Sequence, residues 1–304
     1  MFHRIFRGWH ERAGAAPARV LTGIALALSL ACFLEPREAV AARSITKPNQ
    51  IRIEYVPPSN PQHRSIYDDL KKGRALELLQ ELLSPFKLPQ TLLLKVAGCD
   101  GIKNAWYGGD AITVCYELLA EILENAPKSD LPTGVSRADT IIGAVLDVFL
   151  HETAHALIDI LGIPVLGRQE DAADQFSGYL MLKLGGDEAR RMILGAAYQY
   201  NREVADAKVT LPVRTFADEH SLPAQRLYAL LCIAYGSDKK LFADIVKTDL
   251  LPKERAEGCE IEYNDLEFAM TKLIRPHIDL KLAKKFRAVW AQTITARRAR
   301  LTRQ

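Results

Sequence analysis

The chain has 304 residues, of which 48% are hydrophobic and 25% are charged. This balance is typical of globular proteins, and it excludes a disordered chain, a collagen-like repeat and a multi-span membrane protein. The formal net charge is only +3 and the basic residues are dispersed, so we expect no nucleic-acid partner.

The first 41 residues have the pattern of a secretory signal peptide. An apolar stretch over residues 20–34 follows four arginines and precedes the small residues Ala39-Val40-Ala41-Ala42. A basic segment, an apolar segment of about 15 residues and an A-x-A site predict cleavage after Ala41. We therefore expect an exported protein, either periplasmic or secreted. The apolar stretch is shorter than the roughly 20 residues that a membrane span needs, which favours a cleaved signal. An uncleaved N-terminal anchor is the alternative, and it would be the protein's one membrane contact.

After this segment we predict an N-terminal arm over residues 42–61 and one domain over residues 62–304. The first part of the mature chain carries predicted strands over Ile51–Val56, in the arm, and Thr91–Val96, with a helix over Ser65–Leu83 between them. A hairpin over Asn104–Tyr116 turns at Gly108-Gly109. The rest is mainly helical, so the fold class is α+β with a predominance of helix. The predicted helices are Glu117–Asn125, Ala138–Leu161, Gln169–Leu184, Asp187–Lys208, Pro223–Tyr235, Lys239–Lys247, Tyr263–Ile274 and Asp279–Arg300.

Four cysteines lie beyond the predicted signal peptide. An even number of cysteines in an exported protein favours disulfides, and three pairings are possible. We expect the local pairs Cys99–Cys115 and Cys232–Cys259, because each pair brackets one predicted hairpin or helix–loop unit. Four buried free thiols are the alternative. A zinc site made of these cysteines is disfavoured, since none of them shows the C-x-x-C spacing.

The predicted helix over Ala138–Leu161 contains the sequence His151-Glu152-Thr153-Ala154-His155. Histidines four residues apart lie one turn from each other on the same helical face, so both imidazoles can bind one metal ion. Glu152 lies beside the first histidine, where its carboxylate can take a proton from a metal-bound water. The helix is otherwise apolar nearly all round, and burying three titratable groups costs several kcal/mol unless a cation pairs them. We therefore predict a zinc site here rather than an exposed helix on which the motif occurs by chance.

A catalytic zinc site has three protein ligands and keeps one position for water. The third ligand is expected from the next helix, which begins with Gln169-Glu170-Asp171-Ala172-Ala173-Asp174. Glu170 can coordinate the metal, and Asp174, one turn further, can accept the free ring N–H of a ligand histidine. Asp171 is the alternative third ligand, and a charged helix start favoured by the helix dipole is the alternative explanation of all three acids. Small residues that favour close packing of the two helices are Ala172, Ala173 and Gly178.

These residues resemble the gluzincin branch of zinc metallopeptidases, which carry H-E-x-x-H followed by E-x-x-A-D. The longer motif H-E-x-x-H-x-x-G-x-x-H of the other large branch is not met, because Ile158 and Leu161 stand where it has glycine and histidine. Over about Ile51 to His277 the chain is also similar to a bacterial family of exported metallopeptidases whose function is not assigned. The resemblance implies a zincin-like fold, with a small N-terminal β-sheet and an active-site helix packed on a second helix that bears the glutamate. The further segments that carry it are Cys99, 104–107, 114–118, 218–221, 225–226, Cys232 and 235–238.

The resemblance also implies two further parts of the site. Gluzincins stabilise the oxyanion with a histidine or tyrosine from beyond the zinc helices, and His220, followed by Arg226, resembles that element. The neighbourhood of a helix N-cap is the other interpretation of His220. The strand over Ala111–Tyr116 resembles the edge strand on which such enzymes lay an extended substrate. Trp106 and Tyr107 either line that cleft or pack against the fold.

Together these observations predict a zinc-dependent metallopeptidase acting on a peptide or protein. His151, His155 and Glu170 are the expected zinc ligands, Glu152 the general base, His220 the oxyanion donor and Asp174 the partner of a ligand histidine. One alternative is a catalytically inactive, zinc-stabilised exported binding or scaffold protein. The other is a metal-free helical envelope protein held together by disulfides.

Overall fold

We describe the protein from a computed structural model, for residues 50–131, 133–204, 212–287 and 290. The predicted signal peptide, its cleavage site and the alternative anchor lie outside these residues. The described chain is mainly helical with one four-stranded sheet near its start. The predicted fold class, α+β and mainly helical, is therefore confirmed.

The sheet contains β1 (Ile51–Tyr55), β2 (Leu92–Ala97), β3 (Ala105–Gly108) and β4 (Ala111–Cys115) in the order β1-β2-β4-β3. β1, β2 and β4 are parallel, and β3 pairs antiparallel with β4 through the predicted hairpin. Gly109 takes a positive φ of 65° at the turn. The expectation that residues 111–116 form the edge strand is wrong, because β4 is paired on both sides. β4 is buried from Ile112 to Cys115, as is usual for an internal strand, and β3 lies at the edge.

The helix predicted over Ser65–Leu83 is two helices, α1 (Arg64–Lys72) and α2 (Ala75–Leu83). The chain breaks at Arg74, which adopts a left-handed conformation with φ of 52°. The first turn of α2 finds a partner in the sheet, since the backbone N–H of Leu76 donates to the Tyr55 hydroxyl at 2.7 Å. Because that partner lies 21 residues away, the hydrophobic period of the segment carries no sign of the break.

The remaining helices follow the predicted order. Their bounds are α3 (Tyr116–Asn125), α4 (Arg137–Leu161), α5 (Gln169–Leu182), α6 (Gly186–Val204), α7 (Pro223–Ser237), α8 (Ala243–Lys247), α9 (Lys253–Ala256) and α10 (Cys259–Leu273). A helical segment follows at 280–287, and 3₁₀ turns lie at Pro61–His63, Val213–Ala217 and Arg275–His277. α3 to α7 start and end within three residues of their predicted bounds, except that residues 205–208 lie outside the described part. α8 is shorter than predicted, α9 is new and α10 begins one turn early.

The long helix α4 lies at the centre of the helical part and packs against α5 and α6. It starts with a capping box, in which Ser136 and Asp139 satisfy each other's backbone N–H groups, and it ends at the left-handed Gly162. By length and composition α4 could cross a membrane, but 67% of its most apolar window is buried inside the fold, as in a core helix. The close approach of α4 and α6 depends on two glycines, Gly143 and Gly195, whose backbones are in contact.

Both predicted cysteine pairs lie at disulfide distance. The sulfurs of Cys99 and Cys115 are 2.06 Å apart, joining the end of β4 to the loop that follows β2. The sulfurs of Cys232 and Cys259 are 1.98 Å apart and join α7 to the start of α10. Each disulfide therefore links two segments that are close in sequence, with separations of 16 and 27 residues.

Candidate metal centre

The predicted site residues of α4 lie on one face of the helix and line a cavity of about 660 Å³. His151 and Glu152 are buried, and the side chain of His155 is 13% exposed. The cavity is bounded by α3, β3, α4, the start of α5, α6, the segment before α7 and the first turn of α7. Polar residues of the predicted site that line it are His151, Glu152, His155, Glu170 and His220.

The structure brings the two histidines of α4 together with Glu170 at the start of α5. The Nε2 atom of His151 is 2.9 Å from Glu170 Oε2, and the Nε2 atom of His155 is 3.3 Å from Glu170 Oε1. The two Nε2 atoms are 3.2 Å apart. Donor atoms bound at about 2.0–2.1 Å to one tetrahedral zinc ion lie about 3.3 Å from each other, so the spacing of these donors fits a shared metal ion.

The other ring nitrogen of each α4 histidine faces an oxygen. His151 Nδ1 is 2.8 Å from Asp174 Oδ1, and His155 Nδ1 is 2.8 Å from Gln169 Oε1. An Nδ1–H that donates to these oxygens leaves the lone pair on Nε2, which is the tautomer that a metal ligand needs. Two such lone pairs and a carboxylate then face one another, an arrangement that favours a proton or a metal ion between them.

The charges around His151 also favour a cation. Burial alone lowers the pKa of His151, but the hydrogen bonds to Asp174 and Glu170 outweigh burial and raise it to about 9. The hydrogen bond from His151 and the neighbouring imidazoles lower the pKa of Glu170 to about 2, although burial opposes the shift. Glu170 is therefore ionised, and positive charge is favourable at this point, which either a proton or a metal ion can supply.

Asp174 is held by Arg226 of α7 as well as by His151. The Nε and Nη2 atoms of Arg226 donate to the two carboxylate oxygens of Asp174 at 2.7 and 2.6 Å. Burial raises the pKa of Asp174, but the hydrogen bonds from His151 and Arg226 more than offset it and keep that pKa below its ordinary value. Sequence reasoning placed Arg226 with the oxyanion element, whereas its guanidinium contacts the aspartate behind the first histidine.

Glu152 is buried beside the two histidines, and the backbone N–H of Tyr107 on β3 lies near enough to its carboxylate to oppose a rise of its pKa. Burial raises the pKa of Glu152 above its ordinary value. A carboxylate with a raised pKa is a better proton acceptor at neutral pH than an exposed one. The Tyr107 hydroxyl donates a hydrogen bond to Asp159 of α4 at 2.7 Å, which joins α4 to the edge strand.

His220 lies in the segment between the 3₁₀ turn Val213–Ala217 and α7. Its Nε2 atom is 3.0 Å from Glu170 Oε2, and its ring is stacked on that of His151 with 6.0 Å between centroids. One donor atom from each of His151, Glu170 and His220 lies within 4.8 Å of the others.

The other predicted site residues have different surroundings. Asp171, the alternative third ligand, accepts a hydrogen bond from the Ser221 hydroxyl at 2.6 Å. Gly178 faces α7, where an added Cβ would lie 2.6 Å from Ile233 Cδ1, so it permits the approach of α5 to α7 rather than to α4. Gln169 was missed by sequence reasoning, because its contact with His155 depends on how α5 lies against α4.

The fold and the site define a mainly helical α+β protein with a histidine–carboxylate cluster suited to a metal ion on its central helix. Residues 55–274 match the model of the family DUF4344, whose description is "Putative metallopeptidase". The chain belongs to this family. No curated protein and no solved structure matches the chain significantly.

Proposed function

We propose that the protein is a zinc-dependent metallopeptidase that hydrolyses peptide bonds. The observation that carries the proposal is the convergence of His151 Nε2, His155 Nε2 and the Glu170 carboxylate, with the buried Glu152 beside them at the wall of a cavity. Two imidazoles and one carboxylate form the donor set of several catalytic zinc sites. Family membership supports the coarser part of the proposal, a metallopeptidase.

The two histidines and Glu170 would hold the ion, and Asp174 and Gln169 would keep the imidazoles in the binding tautomer. A zinc ion there would supply a Lewis acid that polarises the peptide carbonyl and acidifies water. Glu152 takes the proton of the attacking water and returns it to the nitrogen of the leaving amine. His220, which borders the same cavity, donates a hydrogen bond to the oxyanion that develops on the former carbonyl oxygen.

The substrate would lie along β3. Within the described sheet this strand is paired on one side only, and Asn104, Ala105, Trp106 and Tyr107 border the cavity. An extended peptide can add to such an edge through backbone hydrogen bonds. The Tyr107 contact to Glu152 brings this edge next to the proposed base, so a peptide held there passes the site of proton transfer.

We also propose that the protein works outside the cytoplasm. Two disulfides suit an oxidising compartment, and the first 41 residues have the sequence pattern of an export signal.

The test is the substitution Glu152→Gln in protein purified without chelators. We expect zinc content to stay at one ion per chain and hydrolysis of a peptide library, followed by mass spectrometry, to fall at least ~100-fold. His151→Ala should lose both zinc and activity. Glu254→Gln makes the same change at an exposed position of α9 and should alter neither.

Two results would contradict the proposal. Full activity of the Glu152→Gln variant would show that another group is the base. Wild-type protein that takes up no zinc would remove the metallopeptidase mechanism itself.

A further inference from the structure

The metal centre has a fourth donor that a catalytic zinc site does not need. Three imidazoles surround the carboxylate of Glu170, and their Nε2 atoms lie 2.9, 3.3 and 3.0 Å from its oxygens for His151, His155 and His220. His220 approaches the same oxygen, Oε2, as His151 does. His220 therefore lies close enough to share a cation with His151 and Glu170, whose donor atoms and its own are within 4.8 Å of one another.

His220 also has the supporting contact that ligand histidines have. Its Nδ1 atom is 3.3 Å from Asp218 Oδ1, just as Nδ1 of His151 faces Asp174 and Nδ1 of His155 faces Gln169. An acceptor at Nδ1 fixes the tautomer in which Nε2 carries the lone pair. All three imidazoles are thus prepared in the same way, with Nε2 turned to Glu170.

The fourth donor differs from the others in how firmly it is held. The side chain of His220 is 43% exposed, against 7% for His151 and 13% for His155. It lies on a non-helical segment, where the main local contacts are the His220 N–H to Asp218 at 2.9 Å and the Ser221 hydroxyl to Asp171 at 2.6 Å. The two α4 histidines belong to a buried helix. His220 can therefore leave the site while the other donors stay.

We propose, given the zinc site of the proposed function, that His220 is a fourth and displaceable zinc ligand. In the resting protein it closes the coordination sphere of three histidines and one glutamate, as in structural zinc sites. An entering substrate or ligand replaces it, which opens the position that water needs. The released imidazole takes up a proton from solvent at Nε2 and then lies at the cavity wall as a hydrogen-bond donor. The site is thereby self-inhibited until it is occupied.

The experiment uses the mature protein loaded with zinc and counts imidazole ligands by X-ray absorption at the zinc edge. We expect three imidazoles in the wild type, and two plus an added oxygen in His220→Ala. Competition with a chromophoric chelator should give a zinc affinity at least tenfold weaker for His220→Ala. Asp218→Asn, which keeps the imidazole, should fall between them. His277→Ala removes a histidine outside the cavity and should match the wild type.

A second measurement tests displacement. Saturating the wild type with a peptide hydroxamate, a bidentate zinc binder, should lower its imidazole count from three to two, and His220→Ala should bind the same compound at least tenfold more tightly. Two imidazoles in the resting wild type, or equal zinc affinity with and without His220, would overturn the proposal. So would three imidazoles that persist under saturating hydroxamate, which would indicate a permanently closed site. Each of these outcomes occurs with zinc bound and is read from ligand counts and affinities. They therefore differ from the two failures of the proposed function, which are wild-type protein without zinc and an active Glu152→Gln variant.

Discussion

Asp174 is the residue on which the geometry of the first histidine depends. Its carboxylate accepts hydrogen bonds from His151 and from two N–H groups of Arg226, and its side chain is 16% exposed. Arg226 in turn lies over the ring of Tyr200, at 4.7 Å from its centroid. A ligand histidine held in this way loses little orientational freedom when a metal ion binds.

We expect Asp174→Asn to weaken zinc binding 10- to 100-fold, because the neutral amide holds the binding tautomer of His151 less well than the carboxylate. Chelator competition measures the affinity, and thermal unfolding of the metal-free protein separates it from any loss of stability around Arg226. Asp187→Asn, at the exposed start of α6, is the control. Unchanged zinc affinity in Asp174→Asn would argue against its role behind His151.

Asp147, one turn before His151, is a second buried acid on α4. It accepts hydrogen bonds from the hydroxyls of Ser177 at 2.6 Å and Tyr200 at 2.7 Å. Burial, with a contribution from the charge of Asp174, raises the pKa of Asp147 above its ordinary value. An acid whose pKa is raised on folding binds its proton more tightly in the folded state than in the unfolded state. The protein therefore loses stability as the pH rises above the pKa that this acid has in the unfolded chain.

The substitution Asp147→Asn removes this titration. We expect the free energy of unfolding of the variant to increase relative to that of the wild type as the pH rises from about 4 to about 8, because only the wild type loses stability over this range. Urea denaturation at several pH values measures it, with Asp187→Asn as the reference. A difference that stays constant over this range would show that Asp147 is ionised in the fold without penalty.

Helix packing sets the position of the site at the scale of elements. α4 carries both histidines, and its other face touches α6 where Gly143 and Gly195 meet. A Cβ at Gly195 would lie 2.2 Å from the Asp139 carbonyl oxygen, closer than any real contact. Because the obstacle is backbone, the helices must move apart to admit even one methyl group.

We expect Gly195→Ala to destabilise the protein by about 1–3 kcal/mol or more, as overpacking of a tight core does. Gly98→Ala places its methyl group in open space without a positive φ and should change stability by less than about 0.5 kcal/mol. Chemical denaturation of both variants gives the comparison. Equal stabilities would mean that α4 and α6 can separate freely.

At the scale of the whole molecule, the chain combines a predicted export signal with two disulfides. A structure that depends on disulfides forms best where thiols are oxidised. The Cys99–Cys115 bond closes a loop with a sequence separation of 16, next to the hairpin that carries the edge strand β3.

Replacing Cys99 and Cys115 by serine together should lower the free energy of unfolding by about 2–4 kcal/mol, since the unfolded chain regains the freedom that the bond removes. Denaturation of the oxidised wild type and the double variant measures this loss. A wild type whose stability does not change on reduction would contradict the structural role of both disulfides.

Expression of the full chain in a secreting host tests the export signal. We expect the mature protein to begin at Ala42, as read from its intact mass. Ala41→Arg places a large charged residue at the predicted cleavage site and should block processing. A mature wild-type protein that retains residues 1–41 would instead support the N-terminal anchor.

Helix content, the H-E-x-x-H pair and the cysteine pairs were predictable because they depend on neighbours close in sequence. His151 and His155 share a helical face through the period of the helix alone, and Glu170 and Asp174 follow on the next helix. The break at Arg74 was missed, since the Tyr55 hydroxyl, which accepts a hydrogen bond from the first turn of α2, is far away in sequence. The edge strand was predicted to be β4 instead of β3 for the same reason. The order of strands in the sheet depends on β4 pairing with β2, which is distant in sequence.

By itself, the sequence determined which side chains of this protein could bind a cation and on which helices His151, His155 and Glu170 lie, because helical periodicity is a local property. Only the tertiary structure decided that His220 reaches Glu170, that Arg226 holds Asp174 and that Tyr107 meets Glu152. Each of these contacts joins elements many residues apart, and their meeting depends on how whole helices and strands pack.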